Sequence, residues 1–177
     1  MEGQAVVDLD HEQHYNGGRG TLQHVMANAV DKQRYEHLRD ADGDWTKRSD
    51  VLVWYRARGE QLKVGELSIG YAVYDGGHHF GPELQFGHVV GEYFPDPLLL
   101  IKTAWGAKSL AKDFRPPSSE GETGAYYTRM IAEYKEAIAT VAKTFPKFAQ
   151  HQPQWSGFGW FQGWNDMCDK DATAAYE

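Results

Sequence analysis

The chain has 177 residues, enough for one domain with a real core, and 41% of them are hydrophobic and 14% aromatic, which excludes a disordered polypeptide. Its net charge of −7 and pI near 5.6, with Lys and Arg scattered along the chain, argue against nucleic acid as a partner. No apolar run approaches the roughly 18 residues that span a bilayer, and the acidic, polar start Met1-Glu2-Gly3-Gln4 carries no signal-peptide core.

Residues 1–50 are polar and turn-rich, with a loop at Asn16-Gly17-Gly18-Arg19-Gly20 and short helices expected over Thr21–Asn28 and Lys32–Arg39. Ala41-Asp42-Gly43-Asp44 predicts a turn. Val51–Tyr55 and Leu62–Leu67 are rich in β-branched and aromatic residues and predict paired strands, part of a β-rich excursion over 40–75. Gly81-Pro82-Glu83 opens a helix to about Tyr93, with proline suited to the first turn and a carboxylate suited to the helix dipole. Pro97–Ile101 is continuously apolar, as expected of a parallel strand buried on both faces. A loop carrying Phe114-Arg115-Pro116-Pro117 follows. Tyr127, Met130, Ile131, Tyr134, Ile138, Val141 and Phe145 then mark a helix over Gly124–Phe145, which Pro146 stops.

Gly157–Gln162 reads as a buried strand that ends in an amide, a glycine and, at Asp166, a carboxylate. Polar clusters at the carboxyl ends of strands are where open α/β sheets place their chemistry. An aromatic core strand followed by an Asn-Asp helix cap fits the same residues. Helix and strand alternating in this order imply a parallel sheet with helices on both faces.

Several familiar chemistries fail on spacing. Asp40-Ala41-Asp42-Gly43-Asp44 begins like a calcium loop, but the glycine is misplaced and position twelve is Val51. Gly106-Ala107-Lys108-Ser109 lacks the glycines of a phosphate loop. His78, His79, Glu83 and His88 have no zinc-site spacing, so no metal is expected. No Gly-x-Ser-x-Gly elbow exists, Asp8 and His11 lie in a polar segment without a strand, and the lone Cys168 has no base nearby. Spacing assembles no catalytic triad.

Five stretches together resemble the sialate O-acetylesterase-like domain of the SGNH hydrolase superfamily: Met1-Glu2-Gly3, Phe80–His88, Leu100–Gly106, Arg115–Ser119 and Trp160–Asp166. The likeness runs over nearly the whole chain in family order. It implies a three-layer α/β/α sandwich with a parallel flavodoxin-like sheet, one esterase domain over 1–177, and acetylated carbohydrate as substrate. It implies no cofactor and an exported protein, secreted or periplasmic.

In that family the nucleophilic serine directly precedes Met-Glu-Gly, and the Asp-x-x-His follows a later strand. The resemblance therefore implies an esterase domain lacking its triad at both ends. What it assigns here is the oxyanion side: Gly106 as the second-block glycine, and Gln162 with Gly163 as the third block. Ala107 stands where the family often has a second glycine, and Trp164 where other branches carry Glu. Trp105, Arg115, Glu83, Trp164 and Asp166 become substrate-side candidates. For Trp105 and Arg115 a packed tryptophan and a surface arginine fit equally, and for Asp166 a helix cap or a loop brace. A non-catalytic carbohydrate-binding remnant is the alternative, its tryptophans stacking on sugar rings.

Overall fold

The computed structural model describes residues 1–176. They form two compact units, one from Glu2 to Lys102 and one from Thr103 onward. The chain is a mixed α/β protein with two small sheets, one mixed and one antiparallel.

The first unit contains β1 (Ala5–Val6), α1 (Leu22–Asn28), β2 (Arg48–Arg56), β3 (Leu62–Leu67), β4 (His79–Phe80), α2 (Glu83–Tyr93) and β5 (Leu98–Lys102). Thr21 caps α1, its hydroxyl accepting from the His24 N–H at 3.2 Å. The segment Lys32–Leu38 is a 3₁₀ rather than an α-helix. In the acidic turn, Asp40 accepts from its own neighbours, the Asp42 and Asp44 N–H groups at 3.1 and 2.9 Å.

The main sheet has the order β3-β2-β5. β2 runs antiparallel to β3, with Val53 opposite Gly65, and parallel to β5, with Val53 opposite Leu100. Val51–Tyr55 are all buried, as an unbroken apolar run in a central strand should be. Val51, Val53 and Leu67 form the core cluster, with Tyr71, Leu98 and Leu100 packed on it. β5 departs from expectation: paired only on its β2 side, it is half-buried along its whole length.

The second unit contains α3 (Ala125–Thr144) and α4 (Lys170–Ala174). α3 begins and ends within a residue of the expected bounds, but its buried stripe is Met130, Glu133, Ala137 and Val141, while Ile131 is exposed. Trp105, Phe114 and Met130 make this unit's core, flanked by Leu110, Tyr126 and Tyr127. Asp169 caps α4, accepting from the Asp171 and Ala172 N–H groups at 2.9 Å each.

One expected element is absent. Gly157–Gln162 is not a strand and not buried; residues 151–163 carry no regular secondary structure. Strand propensity is a preference for a pleated surface with neighbours, and among the described residues no backbone ladder reaches this stretch.

His88, on the inner face of α2, is buried with Nε2 lacking a partner among the described residues. His37 meets its ring edge-on at 4.8 Å. Burial first, then the neighbouring His37 and Arg48, push its pKa down to about 4, against weaker pulls from Glu92 and Asp50. The folded state therefore binds fewer protons than the unfolded chain, whose histidine titrates near 6.5. Its stability should be full above pH ~6.5 and fall as pH drops toward 4, by on the order of 2–3 kcal/mol. Urea midpoints across that range measure the slope, and His88→Gln should flatten it.

Candidate functional site

In the second unit, the residues after Thr103 and the stretch around Gln162 meet at one carboxylate. Asp166 is buried and accepts from the Leu110 N–H on Oδ2 and the Ala111 N–H on Oδ1, both at 2.9 Å. The Gln162 amide also donates to Asp166 Oδ2. Burial pushes the Asp166 pKa up, but the donors from Ala111, Gln162 and Leu110 outweigh it and hold the carboxyl below the usual range.

Gln162 gives its amide nitrogen to two acceptors, Asp166 and the Lys108 carbonyl at 3.2 Å. Both N–H bonds are thereby directed. Its Oε1 is buried with no partner among the described residues. Exchanging the amide's oxygen and nitrogen would set oxygen against a carboxylate and a carbonyl, so the network fixes this orientation. The Gln162 carbonyl accepts from the Tyr176 hydroxyl at 2.7 Å. Gly163 follows with φ +145°, a conformation glycine alone takes easily.

Gly106 is half-buried at the start of the turn that delivers the Lys108 carbonyl. Ala107 next to it sits at φ +57°. That left-handed conformation costs a non-glycine residue roughly 1–2 kcal/mol. It is also the position where the resembling family often has its second glycine.

The remaining candidates are placed as follows. Trp105 is buried, stacked on Phe114 with centroids 6.1 Å apart, and the Arg129 guanidinium lies 4.6 Å from its ring. Arg115 holds its own loop, donating to the Ala111 carbonyl at 2.8 Å and to the Glu120 carbonyl. Trp164 is exposed.

Glu83 lies in the other unit, buried, with both oxygens occupied. Oε1 accepts from the Gly81 N–H at 3.0 Å, and Oε2 pairs with the Lys102 ammonium at 2.8 Å. Lys102 also donates to the Glu2 and Tyr71 carbonyls, each at 2.6 Å. Burial pulls the Lys102 pKa down, against the attraction of Glu83. Arg58 grips the Glu2 carboxylate through two bonds of 2.8 and 2.9 Å. A Cβ on Gly3 would stand 2.6 Å from the Gly81 Cα, so Gly3 and Gly81 touch backbone to backbone. The histidines share no centre: His78 pairs with Asp8 at 2.7 Å, and the ring of His79 meets Tyr74 at 4.8 Å. Among the described residues no group of three His, Cys, Asp or Glu side chains is arranged to hold a metal ion.

Sequence reasoning overlooked Lys102, Lys108, Arg58 and Tyr176. Lys102 carried a signal, a lysine closing an apolar strand; the other three work through carbonyls and a carboxylate far away in sequence.

No family model, no curated protein and no solved structure matches this chain.

Two stability predictions follow from these contacts. Lys102→Met should cost about 3–5 kcal/mol, because it strands the Glu83 carboxylate in the core. Glu83→Gln combined with Lys102→Met should cost clearly less than the two singles added, as read by denaturant unfolding; strict additivity would mean the pair is uncoupled. Asp166→Asn should cost about 1–3 kcal/mol at neutral pH by turning a donor toward the loop amides. Because the folded carboxyl titrates below its unfolded value, that gap should close as pH falls below about 4.

Proposed function

We propose that this chain contributes the oxyanion side of a serine ester hydrolase that removes acetyl groups from carbohydrate hydroxyls. One observation carries the reading: the turn after Gly106 and the Gln162–Asp166 stretch, 50 or so residues apart in sequence, are joined by the Lys108–Gln162 and Ala111–Asp166 hydrogen bonds. The resemblance requires that its second and third blocks meet in this way. The three-layer sandwich with a flavodoxin-like sheet belongs to the same proposal; the parallel pairing of β2 with β5 supports it.

In this mechanism a serine N-terminal to Met1 attacks the acetyl carbonyl. A histidine C-terminal to the chain takes the serine proton, and the tetrahedral oxygen is held by the Gly106 N–H and the Gln162 amide. Collapse of the tetrahedral intermediate breaks the bond to the sugar oxygen, which leaves as the hydroxyl with that proton. The same histidine then activates water for deacylation. An oxyanion needs an N–H aimed at it. Gln162 would free one by leaving Lys108, its longer contact, while Asp166 keeps the other.

The experiment begins with the DNA on either side of this reading frame. It should continue in frame into Gly-Gln-Ser-Asn upstream and Asp-x-x-His downstream. In the protein so extended, Gln162→Ala should lower kcat on acetylated sugar about 10²- to 10³-fold, whereas the 177-residue chain alone should release no acetate. An unchanged kcat, or a hydrolysis burst that titrates with the short chain, overturns the proposal.

A further inference from the structure

We infer that residues 155–161 are a strand-pairing surface through which two copies of this chain associate. The inference does not rest on the esterase reading and competes with its sandwich, which would use the same stretch as a sheet strand. It begins with a conflict between propensity and environment: Trp155-Ser156-Gly157-Phe158-Gly159-Trp160-Phe161 is apolar and aromatic, yet it lies open. Among the described residues, no backbone–backbone hydrogen bond involves any residue from Gln152 to Phe161. Trp155, Phe158, Trp160, Phe161 and Trp164 remain between 41% and 76% exposed. A stretch of main chain with no ladder is a template for another strand.

Within the strip the rings pack on one another, Trp155 stacked on Phe158 at 6.3 Å and Phe158 against Trp160 at 5.9 Å, while each keeps a large exposed area. Tyr134 braces Trp155 from behind at 5.1 Å and Phe114 braces Trp160 at 5.4 Å, both edge-on. Gly157 and Gly159 have no positive φ to explain them, and a Cβ on either would meet nothing within 4 Å. A glycine in a strand sequence that nothing nearby requires marks a close approach by another backbone.

The occupant that fits is a second copy. From Phe148 to Trp164 there is no Asp, Glu, Lys or Arg, although a chain that is 24% charged should place about four there. In a two-fold interface each residue near the axis faces its own copy, so a charge would face itself. An antiparallel pairing centred on Phe158 sets Trp155 against Phe161, Ser156 against Trp160 and Gly157 against Gly159. Aromatic rings then flank the glycines, a pairing that covers the bare backbone. At roughly 200 Å² per aromatic side chain, the exposed parts of the four rings from Trp155 to Phe161 offer roughly 470 Å² per copy. That places the interface at the low end for specific association, and a micromolar dimer is expected.

Sedimentation velocity over about 1 to 100 μM tests this. The chain should pass from monomer to dimer, and Phe158→Lys, which sets two ammonium groups against each other at the axis, should weaken association at least tenfold. Tyr93→Lys, on the exposed face of α2, should leave it unchanged. Amide exchange of residues 156–160 in the unaltered chain should slow as concentration rises, a readout that needs no variant to fold. A monomer throughout, an association indifferent to Phe158→Lys, or exchange that ignores concentration each overturns the inference.

Discussion

Lys102 is the interaction on which the first unit depends. An ammonium has three N–H donors, and this one spends them on the Glu2 carbonyl, the Tyr71 carbonyl and the Glu83 carboxylate. Those three acceptors come from the N-terminal segment, the irregular stretch after β3, and the first turn of α2. One side chain at the end of β5 therefore ties together pieces that share no ladder. The Tyr55 ring lies 4.5 Å from the same ammonium. Lys63 repeats the device at the surface of the sheet, donating to the Gly70, Ala72 and Tyr74 carbonyls. The stretch 70–74 has no regular structure of its own, so two lysines stand in for the hydrogen bonds a strand would have given it. Gly81 must be small for this to work, since a Cβ there would crowd the Lys102 ammonium at 2.8 Å.

The second unit uses the opposite charge to the same end. Asp166 gathers three donors, two from loop amides and one from Gln162, and so fixes a loop to the start of α4's approach. Thr173 closes that arrangement by donating to the Asp166 carbonyl at 2.9 Å. In both units a charge is kept in the interior by satisfying it with main chain. The desolvation of such charges is offset while every partner is present and exposed in full when one is lost.

What was legible in the sequence was whatever depends on near neighbours. The short helix at Thr21–Asn28, the Gly-Pro-Glu start of α2, the Pro146 stop and the 3.6-residue period of α3 act within a turn or two. Val51–Tyr55 was legible as a strand paired with Leu62–Leu67 from its β-branched and aromatic residues; its place between β3 and β5 was not, because the pairing with Leu98–Lys102 is made only by the fold. The phase of α3 was less so: Glu133 is drawn inside by Arg129, whose Nε reaches it at 2.8 Å, and Ile131 is turned out. At the candidate site the residue types were readable and their partners were not. Gln162 stood out as an amide beside a glycine. That both its N–H bonds are already committed follows from Lys108 and Asp166, and only the fold brings Lys108 near.

The strand that does not form shows why propensity is not structure. Residues 155–161 have the composition of a strand, but a strand's stability resides in its neighbours' hydrogen bonds and side chains. Here the C-terminal end of the stretch is pinned, through Asp166 on the Gln162 side chain and Tyr176 on its carbonyl. Its middle is braced from one side by Tyr134 and Phe114. Pinned and braced, the segment has already given up much of the backbone freedom that pairing would otherwise cost. What it lacks is a second row of donors and acceptors. The aromatic surface it exposes and the position of Gln162 are for that reason linked: Asp166 and Tyr176, which hold Gln162, also fix the C-terminal end of this stretch.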